Sequence, residues 1–186
     1  MSALQFLKNL HLAYLSKPVA DRVIYQAAVK HRPKSIVELG VQSGQRTQKL
    51  LQRLLQETPA AELRYTGIDL FEARPAESPG LALKQAYALF KPLGIKTQLI
   101  PGDPSSALAR SANNLRETDL LIISADQPAE ALERAWIYVP RMLKPTSLVY
   151  WETTTAPGVT TFRLVTADEI TALADPRKAS AGRRVA

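Results

Sequence analysis

The sequence predicts an α/β fold, with an open, mostly parallel sheet and helices on both faces. Three observations predict it. Short β-branched runs bounded by Pro and Gly alternate with segments of helical period about every 25–30 residues, the pattern of consecutive βαβ units. Acids and glycines recur just past the ends of those runs, where ligands bind in such sheets. And 186 residues are enough for one domain with a real core.

Residues 3–15 carry Leu4, Phe6, Leu7, Leu10, Leu12 and Leu15 at helical spacing. Pro18 is placed to start a second helix running to about Lys30, with Val19, Val23, Ile24 and Ala27 on one face, and Pro33 to stop it. "SIVEL" reads as a buried strand. Residues 43–57 predict a helix with Leu50, Leu51, Leu54 and Leu55 as its stripe, and "RYTGIDL" is the second strand. Leu83, Ala86, Tyr87 and Phe90 predict a helix closed by Pro92 and Gly94. "KTQLIPGD" and "TDLLIISAD" are the third and fourth strands. "PAEALERAWIYVPRML" is a helix that Pro140 should kink or shorten, with Leu132, Ala135, Trp136, Val139 and Leu143 on one side. "SLVYWE" is the fifth strand and "VTTFRLVT" a further one.

Composition excludes several chemistries. There is no cysteine, so disulfides, thiolate catalysis and cysteine metal sites are out. His11 and His31 are the only histidines, too few for a histidine-rich metal site. Apolar residues at 46% and charged residues at 22% are ordinary for a globular protein. The N-terminus lacks the apolar core and cleavage site of a signal peptide, and no apolar run approaches the roughly 20 residues that span a membrane. A cytoplasmic protein without membrane contact is expected. Of the net charge of +7, residues 175–186 contribute +3, from four basic residues and one acid. That basic stretch has no apolar period and is expected to be a disordered, solubilising tail. The rest, 1–174, is expected to be a single domain.

The residues just past each strand are therefore the ones to inspect: 38–44, 69–72, 102–106, 124–127 and 151–155. The first strand ends in Glu38, Gly40, Ser43 and Gly44. Gly40 permits a tight turn and close backbone approach. Gly44, near a helix start, leaves amide N–H groups open to an acceptor, and Glu38 could meet an ammonium. The same residues could also form a strand–helix turn and nothing more. Gln42 breaks the G-x-G-x-x-G fingerprint of a dinucleotide site. Asp69 ends the second strand, where a carboxylate can accept from both ribose hydroxyls. Asp103, after Gly102, could accept from an adenine amine or cap a helix starting at Pro104.

"VELGVQSGQRT", "GIDLFE", "GDPSSAL", "DLLIISAD" and "LKPTSLV" occur in the order and spacing of class I methyltransferases, which use S-adenosylmethionine. Over residues 19–152 the chain resembles that family, and "ELGVQSG" is similar to the E-[IL]-G-x-x-[ST]-G form of small-molecule O-methyltransferases. The resemblance implies a Rossmann-like doubly wound sheet and S-adenosylmethionine as cofactor. Glu38 and Gly40 would then contact its methionine part, with Ser43, Gly44 and Ser124 nearby. Asp69 would hold the ribose, Gly102 and Asp103 would sit at the adenine amine, and Leu70 and Pro104 would flank the ring.

Three departures qualify the resemblance. Metal-dependent members have D-A-D-K after the fourth strand and Asp-Asn after the fifth; this chain has Ser124-Ala125-Asp126-Gln127 and Trp151-Glu152. The oxygen cluster a divalent cation wants is broken, so no metal site of that type is expected. Thr146-Ser147 replaces the glycine pair of the turn before the fifth strand. The part after the fifth strand is shortened. Residues 1–31 are accordingly expected to form a helical lid over the cleft or a homodimer interface.

Methyl transfer from a sulfonium is an in-line displacement that places a nucleophile about 3 Å from the methyl carbon. Asp126 and Glu152 are the candidate bases, with Tyr150 and Trp151 as walls, Trp151 being equally a core residue. A small-molecule acceptor, methylated at oxygen, is the leading expectation. The alternative is a non-catalytic cofactor-binding relative acting as partner or scaffold. A nicotinamide oxidoreductase is disfavoured by Gln42 and the lack of a Tyr-x-x-x-Lys relay. A nucleic-acid methyltransferase is disfavoured because the [DN]PP[YFW] tetrapeptide is missing.

Overall fold

The run "SIVEL" forms strand β1 (Ser35–Leu39), buried at all five positions, because strands pair with it on both sides and helices cover both faces. The computed structural model describes residues 15–78, 80–156 and 158–175. Among them six strands make one sheet, in the order β3-β2-β1-β4-β5-β6. The others are β2 (Arg64–Asp69), β3 (Lys96–Pro101), β4 (Thr118–Ile123), β5 (Leu143–Ala156) and β6 (Val159–Leu164). Pairing is parallel throughout except for β6, which runs antiparallel to β5. The strand order reverses between β1 and β4, so a cleft opens at their carboxyl ends. Asp119 pins that pair from below, accepting the amides of Lys34 at 2.8 Å and Ser35 at 2.9 Å.

Alternation along the strands divides the core in two. Ile36, Tyr65, Leu120, Ile122, Tyr150 and Phe162 pack against α1 (Arg22–His31), α2 (Gln45–Leu54) and α3 (Leu83–Phe90). Val37, Leu39, Ile68, Leu121, Ile123 and Val149 pack against α4 (Pro104–Ser111), α5 (Ala129–Ala135) and α6 (Ala167–Leu173). Glu38, two residues beyond Ile36, therefore points to the α1–α2 face, and Glu152, two beyond Tyr150, does the same.

The doubly wound α/β expectation matches this architecture, and several boundaries differ. The helix expected from Pro18 begins at Arg22. Residues 18–21 bend instead, so that Ser16 and Asp21 turn inward: the Ser16 carbonyl accepts Arg22 Nε at 2.8 Å, and the Asp21 carbonyl accepts the Tyr25 amide at 3.1 Å. Val19, expected on the buried face, is 65% exposed. Arg32, in the left-handed region at φ 49°, ends this helix just before Pro33. Tyr87, expected on a buried stripe, is exposed, while Ala86 and Phe90 are buried. Pro140 does shorten its helix: α5 stops at Ala135 and a 3-10 turn carries Trp136–Arg141. Leu143 consequently belongs to β5, which is far longer than "SLVYWE". At its start the added length pairs with β4, Leu143 opposite Thr118, and at its far end with β6, which opposes Phe162 to Glu152.

Helix α6 was not expected. Its signal was present in "TADE": Thr166 Oγ1 accepts the Glu169 amide and Glu169 accepts the Thr166 amide, a reciprocal capping box. The helix expected at 3–15, with His11, lies outside the described residues except for Leu15, as does all but Asp175 of the basic tail. No helix among the described residues is long and apolar enough to cross a membrane.

Candidate active site

The turn after β1 needs its glycines. Gly40 has φ +95°, and a Cβ there would meet Gln127 Nε2 and lie 2.8 Å from Ser124 Cβ. Gly44, at φ +69°, is the N-cap of α2, and a Cβ would sit 2.6 Å from Leu89 Cδ2. Gly44 thus serves helix packing as well as the turn. Ser43 is exposed at its tip.

Glu38 is fully buried, and its four acceptor directions are filled from within the chain. Arg46 donates Nε at 3.1 Å and Nη2 at 2.9 Å to Oε1. Thr47 Oγ1 and Tyr65 OH, the latter at 2.7 Å, donate to Oε2. Those donors are themselves buried. Glu38 is thus a structural hub on the floor of the cleft, not the free acceptor for an ammonium expected of it. Burial and the neighbouring Glu38 push the Tyr65 phenol far up, so it stays a donor.

Arg46 gathers the floor. Its Nη2 donates to Ser124 Oγ at 2.6 Å, and Ser124 Oγ donates to the Gly40 carbonyl at 2.9 Å. Its Nη1 lies 3.7 Å from both Asp21 Oδ1 and Glu152 Oε2, and its guanidinium stands 5.1 Å over the Phe162 ring. Burial acts to lower its pKa, but Glu38 and Asp21 outweigh it and keep the cation. The Asp21 carboxyl is pushed up by burial, against the pull of Arg46.

Asp69, buried at the end of β2, accepts Arg74 Nε at 2.5 Å and the Phe71 amide at 3.1 Å on Oδ1. Its Oδ2 accepts Arg74 Nη2 at 2.6 Å and the Gln42 amide at 3.0 Å. Burial alone would raise this carboxyl; Arg74 and the two amides hold it below its ordinary value. Nη1 of the same arginine donates to Asp126 Oδ2, past the end of β4, at 2.7 Å and to Ser78 Oγ, four residues on from Arg74, at 3.2 Å. A cavity of about 90 Å³ lies between Asp69, Leu70, Arg74, Ser78, Asp126 and Gln127.

The remaining expected residues fall as follows. Asp103 caps α4: Oδ1 accepts the Ser105 and Ser106 amides at 3.0 and 3.1 Å, and Oδ2 accepts Ser106 Oγ at 2.6 Å. Of its two readings, the cap is the one made by these contacts. Gly102 precedes it at φ +135°, and Pro104 is buried in the first turn of α4. Asp126 and Glu152 both stand at the cleft, Asp126 bonded also to Gln127 Nε2 at 2.9 Å and Glu152 to the Ala125 amide at 3.3 Å. Trp151 cannot be a wall beside Glu152, because alternation turns it to the opposite face. There it packs on Trp136 with ring centroids 5.6 Å apart. That face holds a larger, apolar cavity of about 440 Å³, lined by Leu132, Trp136, Trp151 and Leu173, with none of the strand-end carboxylates. Among the described residues no three carboxylate or imidazole groups converge as a metal-ligand set.

Asp21, Arg46 and Arg74 were missed from the sequence. Arg46 had a faint signal: with Leu50 and Arg53 it falls at i, i+4, i+7 on a helix, so a cation occupies a core-facing position. Arg74 sits in the aperiodic stretch "EARPAESP" and had none.

No protein-family model matches the chain, and no curated protein sequence does. Solved structures do match in fold. The chain is similar to the calicheamicin methyltransferase CalS11 with a TM-score of 0.58, at 17% identity, over 82% of this chain and 71% of that one. An O-methyltransferase from Bacillus cereus, crystallised in complex with SAH, matches with a TM-score of 0.56 at 11% identity, over 97% and 79%. A TehB-like SAM-dependent methyltransferase from Corynebacterium glutamicum matches at 0.52 and 15%, over 95% and 79%. The fold is the Rossmann-like fold that these methyltransferases share.

Proposed function

We propose that this chain is an S-adenosylmethionine-dependent methyltransferase acting on a small molecule, at oxygen, without a metal. One observation carries the reading. Asp69, a buried carboxylate held ionised at the end of β2, faces the glycine turn after β1 beside the reversal of strand order, where α/β sheets take up nucleoside ligands. The fold likeness to methyltransferases supports it.

The residues fit the cofactor in kind. Asp69 would accept from its ribose hydroxyls, Leu70 and Pro104 would line its base, and the backbone around Gly40 would approach its amino-acid part. Gly102 and Asp103 would border the base, with Ser43, Gly44 and Ser124 framing the turn. When bound, S-adenosylmethionine supplies a methyl group on a sulfonium. The chain's own part is to orient the acceptor, exclude water and take a proton. Asp126 and Glu152 are the groups that would take the proton, since they are the carboxylates beside the Ser124–Gln127 turn, Asp126 within it and Glu152 bonded to its Ala125 amide. Glu38 and Arg46 act through the others, by holding Ser124 and Glu152 in place. Of residues 1–31, expected to be a lid or a homodimer interface, Arg22–His31 form α1 and pack into the core, so that role would be left to the residues before α1.

A second reading, a non-catalytic cofactor-binding relative acting as partner or scaffold, draws on a different observation. All four acceptor directions of both Glu38 and Asp69 are filled by the chain itself. Titration calorimetry of the full chain with S-adenosylmethionine and with NAD tests the cofactor, and an assay of methyl transfer to small-molecule hydroxyls separates the enzyme from the scaffold. Binding of S-adenosylmethionine alone is expected. Binding of NAD alone would point to an oxidoreductase, and binding of neither would overturn both cofactor-binding readings.

A further inference from the structure

Asp69 is saturated, and only one of its partners is free to leave. A carboxylate has about four acceptor directions, and here two are taken by main-chain amides, of Gln42 and Phe71, and two by the Arg74 guanidinium. A ribose hydroxyl can donate to Asp69 only where one of these donors withdraws. The amides belong to the turns after β1 and β2, and moving them means remaking both. Arg74 is a long side chain from the irregular stretch after β2, and it can leave by rotation. It would not leave as an unpaired cation: Nη1 already holds Asp126 at 2.7 Å and Ser78 at 3.2 Å. Its side chain also lies under the next turn, since a Cβ on Gly80 would be 2.7 Å from Arg74 Cδ and Nε. The cavity around it, about 90 Å³, is well short of the roughly 300–1,000 Å³ of small-molecule sites.

From this we infer that Arg74 gates the cofactor site. Its guanidinium competes with the ribose for Asp69, and the binding-competent form is the one in which Arg74 has released Asp69 while keeping Asp126. This rests on the methyltransferase reading of the site. Apparent affinity is then the intrinsic affinity reduced by the fraction of molecules that are open. An arginine also makes a better gate than a lysine, because its fork covers both carboxylate oxygens at once.

The test is calorimetric titration of the full-length wild type, Arg74→Met and Arg74→Lys with S-adenosylmethionine and with adenosine, the folded state of each being checked by circular dichroism. Arg74→Met should bind both ligands about tenfold more tightly or better, with Arg74→Lys between it and the wild type, because one ammonium covers Asp69 less completely. Adenosine should follow the same order, since the ribose carries the competition. Equal binding of S-adenosylmethionine by wild type and Arg74→Met would overturn the gate and leave the methyltransferase reading standing. Weaker binding by Arg74→Met would overturn it too, and make Arg74 a ligand of the cofactor. Folded proteins that all fail to bind would remove the cofactor reading and the gate with it. Should Arg74→Met not fold, Arg74→Lys decides alone: tighter binding than wild type upholds the gate, equal or weaker binding overturns it.

Discussion

Arg46 places two nitrogens, at 3.1 and 2.9 Å, on one oxygen of Glu38, and both side chains are buried. The pair joins the start of α2 to the end of β1, and through Ser124 it joins both to β4. A buried pair of this kind adds little net stability, but breaking one side leaves a charge without its partner.

Arg46→Met should therefore destabilise the fold by about 3–5 kcal/mol, read as a lower urea midpoint. Glu38, Asp21 and Glu152 would all lose their shared cation. Adding Glu38→Gln should recover part of the loss, since one unpaired charge is removed. A single variant as stable as the wild type would show that the floor of the cleft does not depend on Arg46.

Gly40→Ala should cost about 1–3 kcal/mol, the range for a residue forced into a sparsely populated backbone region. Its φ of +95° is unsuited to alanine, and the new Cβ would press on Ser124 and Gln127. Adding Gln127→Ala should not restore stability, because the backbone strain and the Ser124 contact remain. Full rescue by that second change would show that crowding by Gln127 alone is the cost.

Asp69→Ala should weaken S-adenosylmethionine binding by roughly 1.5–3 kcal/mol, as for hydrogen bonds to a charged group. Calorimetry on the folded variant reads this directly. Unchanged affinity would take Asp69 out of the site.

Stability should fall on the acid side through Asp69 and Asp119. Both carboxyls sit below their ordinary value in the folded chain, against the effect of burial: Asp69 through Arg74 and two amides, Asp119 through Lys144 and the Ser35 and Lys34 amides. A depressed folded pKa contributes stability above the unfolded value, and that contribution is lost as the pH falls through the folded value. Acid unfolding of Asp119→Asn should accordingly show a shallower loss below pH of about 4 than the wild type. An identical acid profile would contradict the assignment.

Any methyl transfer measured should survive EDTA, because Ser124 and Trp151 stand where a cation's oxygen ligands are expected, and Trp151 faces the other side of the sheet. Loss with EDTA and rescue by Mg²⁺ would show that oxygen ligands gather elsewhere in the chain.

By itself the sequence determined the alternation of strands and helices, the parallel sheet and the positions of its carboxyl ends. These follow from local periodicity, from Pro and Gly as boundaries, and from burial on both faces, all of which act over a few residues. Gly40, one step past β1, and Asp69, the last residue of β2, were legible for the same reason. Only the tertiary structure decided what those side chains hold. Arg74 is five residues from Asp69 but 52 from Asp126, and Arg46 is 78 from Ser124. No spacing rule links such pairs, because a guanidinium on a long flexible stem finds its carboxylate after the elements have packed. The turning of Trp151 away from Glu152 was implicit in the strand's period of two. Which of the two faces the cleft, though, was settled by which helices covered each face.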